Sequence, residues 1–185
     1  MLTLKTARLR LRPFVLDDLD DYYRATRSDP DVMRFLPGGK PQTIEQTEQS
    51  LRRIMAHWDR HGFAMMAVIH AADDVVIGHC GLQYLPDLPD IEVGYALAKA
   101  YWGQGLATEA ARACLRYGFE TIGLDHIVAI FMPENTASER VMIKLGMRTE
   151  GTRHVYGMDM PWYTISRDDF DPGDAPYALV RDGDA

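Results

Sequence analysis

Leu9, Leu11 and Pro13 alternate with Arg8, Arg10 and Arg12 across residues 8–14, the period of a half-buried strand with an outward, solvated row of arginines. Asp17 and Asp18 then precede Leu19, Tyr22, Tyr23 and Thr26, a spacing that predicts a capped first helix ending before Pro30. A short piece over residues 32–36 leads into Pro37-Gly38-Gly39. Thr43 and Gln46 form a capping box, behind which Ile44, Leu51, Ile54/Met55 and Trp58 mark one apolar face of a helix that stops near Gly62.

Residues 63–70 and 75–84 read as a strand pair joined over 71–74, and residues 86–90 supply the next turn. A strand over 91–98 runs directly into Tyr101-Trp102-Gly103-Gln104-Gly105. Leu106, Ala110, Ala113/Cys114 and Tyr117 then recur at three- and four-residue spacing, the mark of a helix that ends near Gly123. Its small residues Ala107, Ala111 and Ala113 let it lie close against a sheet. An apolar strand over 126–132, a helix over 135–145 closed by Gly146, and strands near 152–156 and 163–167 complete the pattern. The order is strand, helices, three strands, helix, strand, helix, strand, with no internal repeat: a mixed α/β chain. Asp171-Pro172-Gly173-Asp174-Ala175-Pro176 opens a flexible acidic tail over 171–185, within which Tyr177-Ala178-Leu179-Val180 has the composition to dock.

At 185 residues, 46% apolar and 25% charged, the chain has the size of one domain, placed at residues 1–170. No apolar run approaches the length of a bilayer span, and Met1-Leu2-Thr3-Leu4-Lys5-Thr6 lacks the basic-then-apolar order of a signal peptide, so a cytoplasmic protein without membrane partners is expected. Cys80 and Cys114 are too few for a disulfide framework and are expected as buried, reduced core residues. The histidines show no ligand spacing with a carboxylate or cysteine, so no metal is expected. A net charge of -7 argues against nucleic acid as a partner, and requires that any polyanionic ligand be held by local amides and a few placed cations.

Gly103 and Gly105 supply such amides. Both can adopt positive φ, and the helix that follows aims its first N–H groups at the same point, a place for an anion. A nucleotide-hydrolysing loop would end in Gly-Lys-Ser/Thr, whereas Leu106 and Ala107 follow here; a dinucleotide fingerprint needs a third glycine where Thr108 stands. A plain strand-to-helix turn is the structural alternative. Glu92 shares a strand face with Gly94 and Ala96, leaving space beside its carboxylate; a solvated glutamate, or one paired with a core arginine, is the other reading.

Four segments together resemble the GNAT acetyltransferases, and within them the RimJ/RimL branch: Thr6-Ala7-Arg8-Leu9-Arg10-Leu11-Arg12, Ile91-Glu92-Val93-Gly94-Tyr95, residues 101–110, and Asn135 to Met147. The resemblance implies a mostly antiparallel sheet that splays at an acetyl-CoA loop and is flanked by about four helices. It implies acetyl-CoA as cosubstrate, held by Trp102, Gly103, Gln104, Gly105, Leu106, Ala107 and Thr108, with Leu97, Asn135, Ser138 and Arg140 as further contacts. Trp102 stands where the broad superfamily has Arg or Gln. By the same resemblance Glu92 is the base for the amine, the Leu97 N–H the oxyanion donor, and Ser138 the acid for the CoA thiolate, since Met142 occupies the place of the usual tyrosine. An ordinary first-turn helix serine remains the alternative for Ser138. The implied acceptor is a primary amine, foremost a protein or peptide N-terminal amine; a small-molecule amine, or a silent acyl-CoA-binding module, are the alternatives. Relatives that form homodimers leave room for one here.

Overall fold

A computed structural model describes residues 2–181, which form one nine-stranded sheet with helices on both faces. Strands β1 (Leu2–Thr6), β2 (Leu9–Pro13), β3 (Met65–His70), β4 (Val75–Tyr84), β5 (Ile91–Leu97), β6 (His126–Ile130), β7 (Arg148–Val155), β8 (Met158–Ser166) and β9 (Tyr177–Arg181) lie in the order β7-β8-β6-β5-β4-β3-β2-β1-β9. Every neighbouring pair is antiparallel except β5 and β6, which are parallel and meet at one position, Glu92 opposite Val128. Beyond that position the sheet opens. The splayed, mostly antiparallel sheet expected from the resemblance is present.

The helices are α1 (Leu19–Tyr22), α2 (Pro30–Met33), α3 (Ile44–His61), α4 (Leu106–Arg116) and α5 (Thr136–Lys144). The capping box of α3 forms as read: the Thr43 side chain accepts from the Gln46 N–H at 3.3 Å, and the Thr43 N–H donates to the Gln46 side chain at 2.9 Å. The first helical region differs from expectation. Asp18 is buried and serves the turn before it, accepting from the Val15 N–H at 2.9 Å and from both Arg12 nitrogens at 2.7 and 2.8 Å. Arg12 therefore leaves the solvated arginine row. After one turn, α1 widens over Tyr23–Arg27, where the Thr26 hydroxyl bonds back to the Tyr22 carbonyl at 3.0 Å and loosens the ladder.

Both sheet faces are covered. On β3, Met66 and Val68 join a core with Leu9, Leu11, Leu106, Ala110 and Cys114, whereas Ala67 and Ile69 face Phe14, Tyr22 and Leu51. Thus α4 packs on one face, and α1 and α3 on the other. Among the described residues no helix is long and apolar enough to cross a membrane.

The tail expectation is corrected. Residues 177–181 are not free but form β9, paired with β1 from Leu2↔Arg181 to Thr6↔Tyr177. The physical reason is twofold: β9 satisfies the edge that β1 would otherwise expose, and Tyr177 and Leu179 pack against the main core, with the Arg116 guanidinium 4.5 Å from the Tyr177 ring centroid. Residues 182–185 of that tail lie outside the described residues.

Candidate active site

Strand β5 organises the site because antiparallel pairing sorts its groups. The Ala98 N–H bonds to the Ile77 carbonyl at 2.7 Å, so by alternation Ala96, Gly94 and Glu92 direct their main-chain groups at β4, while Leu97, Tyr95 and Val93 direct theirs toward the opening beside β6. Trp102 Nε1 donates to the Leu97 carbonyl at 2.7 Å, tying the loop to the end of β5.

After Trp102 the chain turns through Gly103 at φ 73° and Gly105 at φ 78°, and α4 begins. Space does not demand these glycines, since a Cβ at Gly103 would meet nothing and one at Gly105 would lie 3.8 Å from an Arg8 nitrogen. The left-handed backbone does. The first internal bond of α4 runs from the Glu109 N–H to the Gly105 carbonyl at 3.1 Å, leaving the N–H groups of Leu106, Ala107 and Thr108 ahead of the ladder, a positive helix end for a phosphate.

The loop is clamped from behind. Glu109 accepts from the Thr6 hydroxyl at 2.6 Å, the Arg8 N–H at 2.9 Å and Arg8 Nε at 2.7 Å, and Arg8 Nη1 reaches the Gln104 carbonyl at 2.9 Å. These bonds hold the Glu109 carboxyl below its ordinary range, even though burial opposes them. Arg8 remains exposed, as an outward arginine should, but it is also tied to Glu109 and the loop. Gln104 departs from the expected cofactor set: it does not line the groove, and its side chain folds back onto the Ala100 carbonyl at 3.1 Å.

The remaining expected residues meet in one groove of about 780 Å³, between the loop, β5, α5 and the α1–α3 side. Glu92 is 6% exposed and accepts from Gln83 Nε2 at 2.6 Å. Burial raises its carboxyl from an ordinary 4.5 to about 7, against the opposing effect of Gln83. No salt bridge to Glu92 occurs among the described residues. Neither alternative reading of Glu92, solvated or arginine-paired, describes this carboxyl. Across the groove Asn135 caps α5 by accepting from the Ser138 N–H at 3.1 Å, and the buried Ser138 hydroxyl lies 2.7 Å from the Tyr95 hydroxyl. Burial raises Tyr95 well above the ordinary phenol range, so it is a neutral donor at any physiological pH. Met142 is core, 1% exposed.

Sequence reasoning missed Gln83, Tyr95 and Tyr156. The register of β4 on β5 would have placed Gln83 opposite Glu92, because the turn between those strands was already read. Tyr156 carried no signal. It sits at φ 53° in the turn between β7 and β8, and its phenol is pushed up to about 12, first by burial and then by the Glu92 charge.

The GNAT acetyltransferase domain family matches residues 8–148. This chain belongs to that family. Among its relatives is the uncharacterized N-acetyltransferase p20 of Bacillus licheniformis, 33% identical over 147 residues that span 77% of this chain and 80% of that protein. The crystal structure of a GNAT-family acetyltransferase from Bacillus anthracis aligns with a TM-score of 0.77 at 31% identity, over 90% of this chain and 99% of that one. The ribosomal-protein-S5-alanine acetyltransferase of Vibrio fischeri, at 21% identity over 92% and 99%, shares the fold with a TM-score of 0.74.

GNAT domains use acetyl-CoA, and the residues present fit it. Unpaired helix-end N–H groups suit a pyrophosphate, the opening between β5 and β6 suits an extended pantetheine arm, and Arg140 and Lys144 of α5 line the groove without a carboxylate partner among the described residues. Also among the described residues, no group of three or more His, Cys, Asp or Glu side chains could hold a metal ion.

Proposed function

We propose that this enzyme transfers acetyl from acetyl-CoA directly to a primary amine, and that the amine is the N-terminus of a protein or peptide, as in the RimJ/RimL branch. The observation that carries the reading is Glu92: a buried carboxyl, hydrogen-bonded to Gln83 alone, facing the same groove as the glycine loop. A base near 7 is matched to an α-amino group, whose reference pKa is about 7.7–8.0, better than to a lysine near 10.4. Glu92 takes the amine proton, directly or through water. The Leu97 N–H, aimed into the opening, donates to the oxyanion that develops on the acetyl carbonyl. Ser138, with Tyr95 hydrogen-bonded behind it, donates to the departing thiolate. Trp102, Gly103 and residues 105–108 of the loop, with Asn135 and Arg140, hold the coenzyme. A direct transfer is favoured over a cysteine intermediate because Cys80 and Cys114 pack in the core with their sulfurs 3.5 Å apart, away from the groove. Two buried free thiols also suit a reducing cytoplasm.

Free CoA thiol, followed with acetyl-CoA and a panel of peptides and small amines and completed by mass spectrometry of the product, tests the proposal. Turnover on peptide N-termini is expected. Acetyl-CoA binding without turnover on any amine would leave a silent acyl-CoA-binding module instead.

A further inference from the structure

The groove is cationic inside a protein whose net charge is -7: Arg27, Arg53, Arg140 and Lys144 line it, and among the described residues Glu92 is its one acidic lining residue. Elsewhere, ion pairs are the habit, as in Arg8 with Glu109, Arg12 with Asp18, Arg116 with Glu120 and Lys99 with Asp31. None of the four groove cations has a carboxylate partner among the described residues. Arg140 and Lys144 stand on α5, beside the coenzyme loop. Arg27 and Arg53 stand on the opposite wall, in the widened turn after α1 and on α3.

Arg27 is held for a purpose other than neutralising a neighbour. Its Nε and Nη2 donate to the Tyr22 hydroxyl oxygen at 2.9 and 2.6 Å, and its guanidinium lies 5.1 Å from the Tyr22 ring centroid. With that oxygen accepting twice, the Tyr22 hydrogen goes to His79 Nδ1, 3.1 Å away. Burial, and secondarily the Arg27 charge, lower the His79 pKa well below its ordinary value, so the ring is neutral and keeps its one proton on Nε2. Among the described residues the charged groups of this wall are therefore all cationic: Arg27, whose Nη1 has only the Met33 sulfur at 4.0 Å, and Arg53, whose Nη2 meets the Ser50 hydroxyl at 3.0 Å. The His79 Nε2–H stands beside them, with the neutral side chains of Gln42 and Ser50 between. Such a wall repels a polycation and lacks its natural counterpart, an anion.

His79 and Gln83 lie on the same face of β4, four positions apart, about 13 Å at the rise of an antiparallel strand. Gln83 marks the Glu92 end. A free amino acid is too short to place its nitrogen at Glu92 and its carboxylate at Arg27, whereas an extended peptide covers that span in about four residues.

We propose that the acceptor is a peptide N-terminus with an acidic side chain at its second, third or fourth residue, read by Arg27 and Arg53. The inference rests on the acetyl-transfer reading above and narrows its substrate. Thiol release is measured with acetyl-CoA and tetrapeptide amides that share a first residue and carry Glu, Gln or Lys at positions two, three and four, alongside free glutamate and a polyamine. The Glu peptide is expected to exceed the Gln peptide at least tenfold in kcat/KM, with the Lys peptide and the polyamine lowest. Arg27→Gln should erase that advantage by raising KM for the Glu peptide, with kcat and the Gln peptide little changed. Arg53→Glu lies at an exposed position of α3 that folding tolerates, and should shift preference toward the Lys peptide even if the Arg27 variant fails to fold. Equal rates on the Glu and Gln peptides, a preference for Lys or polyamine, or an unchanged ratio in Arg53→Glu overturns the inference. Free glutamate as the best acceptor overturns the peptide assignment. Calorimetry of the same peptides on the CoA-loaded protein separates the two readings: preferential binding of the Glu peptide without turnover removes acetyl transfer and keeps the anion site, whereas binding without discrimination removes the anion site.

Discussion

The two walls of the groove are made of different material. The wall proposed for the coenzyme is largely main chain: N–H groups ahead of α4, left-handed glycines at 103 and 105, and the outward edge of β5. The wall proposed for the acceptor is side chains brought from the turn after α1, α3, β4, β5 and the β7–β8 turn, among them Arg27, Arg53, Gln83, Glu92 and Tyr156. Backbone geometry suits a ligand part that every member of a family shares. Side chains suit the part that varies. The difference teaches that damage to one wall should appear in coenzyme affinity, and damage to the other in turnover and acceptor choice.

The largest expected effect falls on the acceptor wall. Glu92→Gln should lower kcat/KM about a hundredfold near pH 7, as general-base loss does. The wild-type rate should rise as Glu92 ionises through about pH 7, and the variant should keep only the slope due to the amine itself. A pH-rate profile that is the same in both proteins would remove Glu92 as base. The same variant should be more stable at pH 8. In the folded protein the Glu92 carboxyl is raised, so between 4.5 and about 7 the unfolded chain ionises while the native one stays protonated, and stability falls as pH rises through that window. At 1.36 kcal/mol per pH unit the loss reaches up to about 3 kcal/mol, which Gln escapes. Urea unfolding at pH 4.5 and pH 8 checks it: the variant should gain at pH 8 and little at pH 4.5.

Next in size, Gly105→Val on the coenzyme wall forces a β-branched residue into φ 78°. The change should cost about 1–2 kcal/mol of stability and weaken CoA at least tenfold by calorimetry. Unchanged affinity would mean that the loop is a plain turn. A smaller, several-fold loss of CoA affinity is expected for Glu109→Gln, because the charge that orders Thr6 and Arg8 behind the loop is gone while the groove lining is untouched. Acceptor KM should not follow. Smallest of all, Ser138→Ala and Tyr95→Phe should each slow turnover less than tenfold, since a thiolate of pKa near 8–9 leaves readily. Equal effects in the single and double variants would mark the two hydroxyls as one donor unit; additive effects would separate them.

The coenzyme wall was the legible one. Glycines at 103 and 105 between a strand and an alanine-bearing helix announce positive φ and free N–H groups from local rules alone, and the loop forms as read. Thr43 and Gln46 announce α3 in the same way. Legibility failed where a local pattern had a distant partner. Arg8, Arg10 and Arg12 alternate as an outward row, and Arg8 and Arg10 do stay partly exposed, but nothing local showed that Arg8 meets Glu109, Arg10 meets Asp74 and Arg12 meets the buried Asp18. The chain beyond Phe170 is polar enough to read as a tail, and only the bare edge of β1 gives it a strand to join. Gln104 sits inside the loop pattern, yet its side chain folds back onto the Ala100 carbonyl and its own carbonyl is taken by Arg8, from the turn between β1 and β2 about a hundred residues earlier.

Backbone conformation, caps and strand faces follow from neighbours within a few positions, and the sequence by itself determined those: the loop, α3, α5 and the side of β5 on which Glu92 stands. Ionisation and pairing depend on dielectric and on groups far away in the chain. That Glu92 is buried beside Gln83, that Tyr95 backs Ser138, and that Arg27 has a tyrosine and no carboxylate for a partner were decided only when the sheet closed around them. A charge acquires its pKa and its partner from the whole fold, whereas a glycine turn carries its geometry with it.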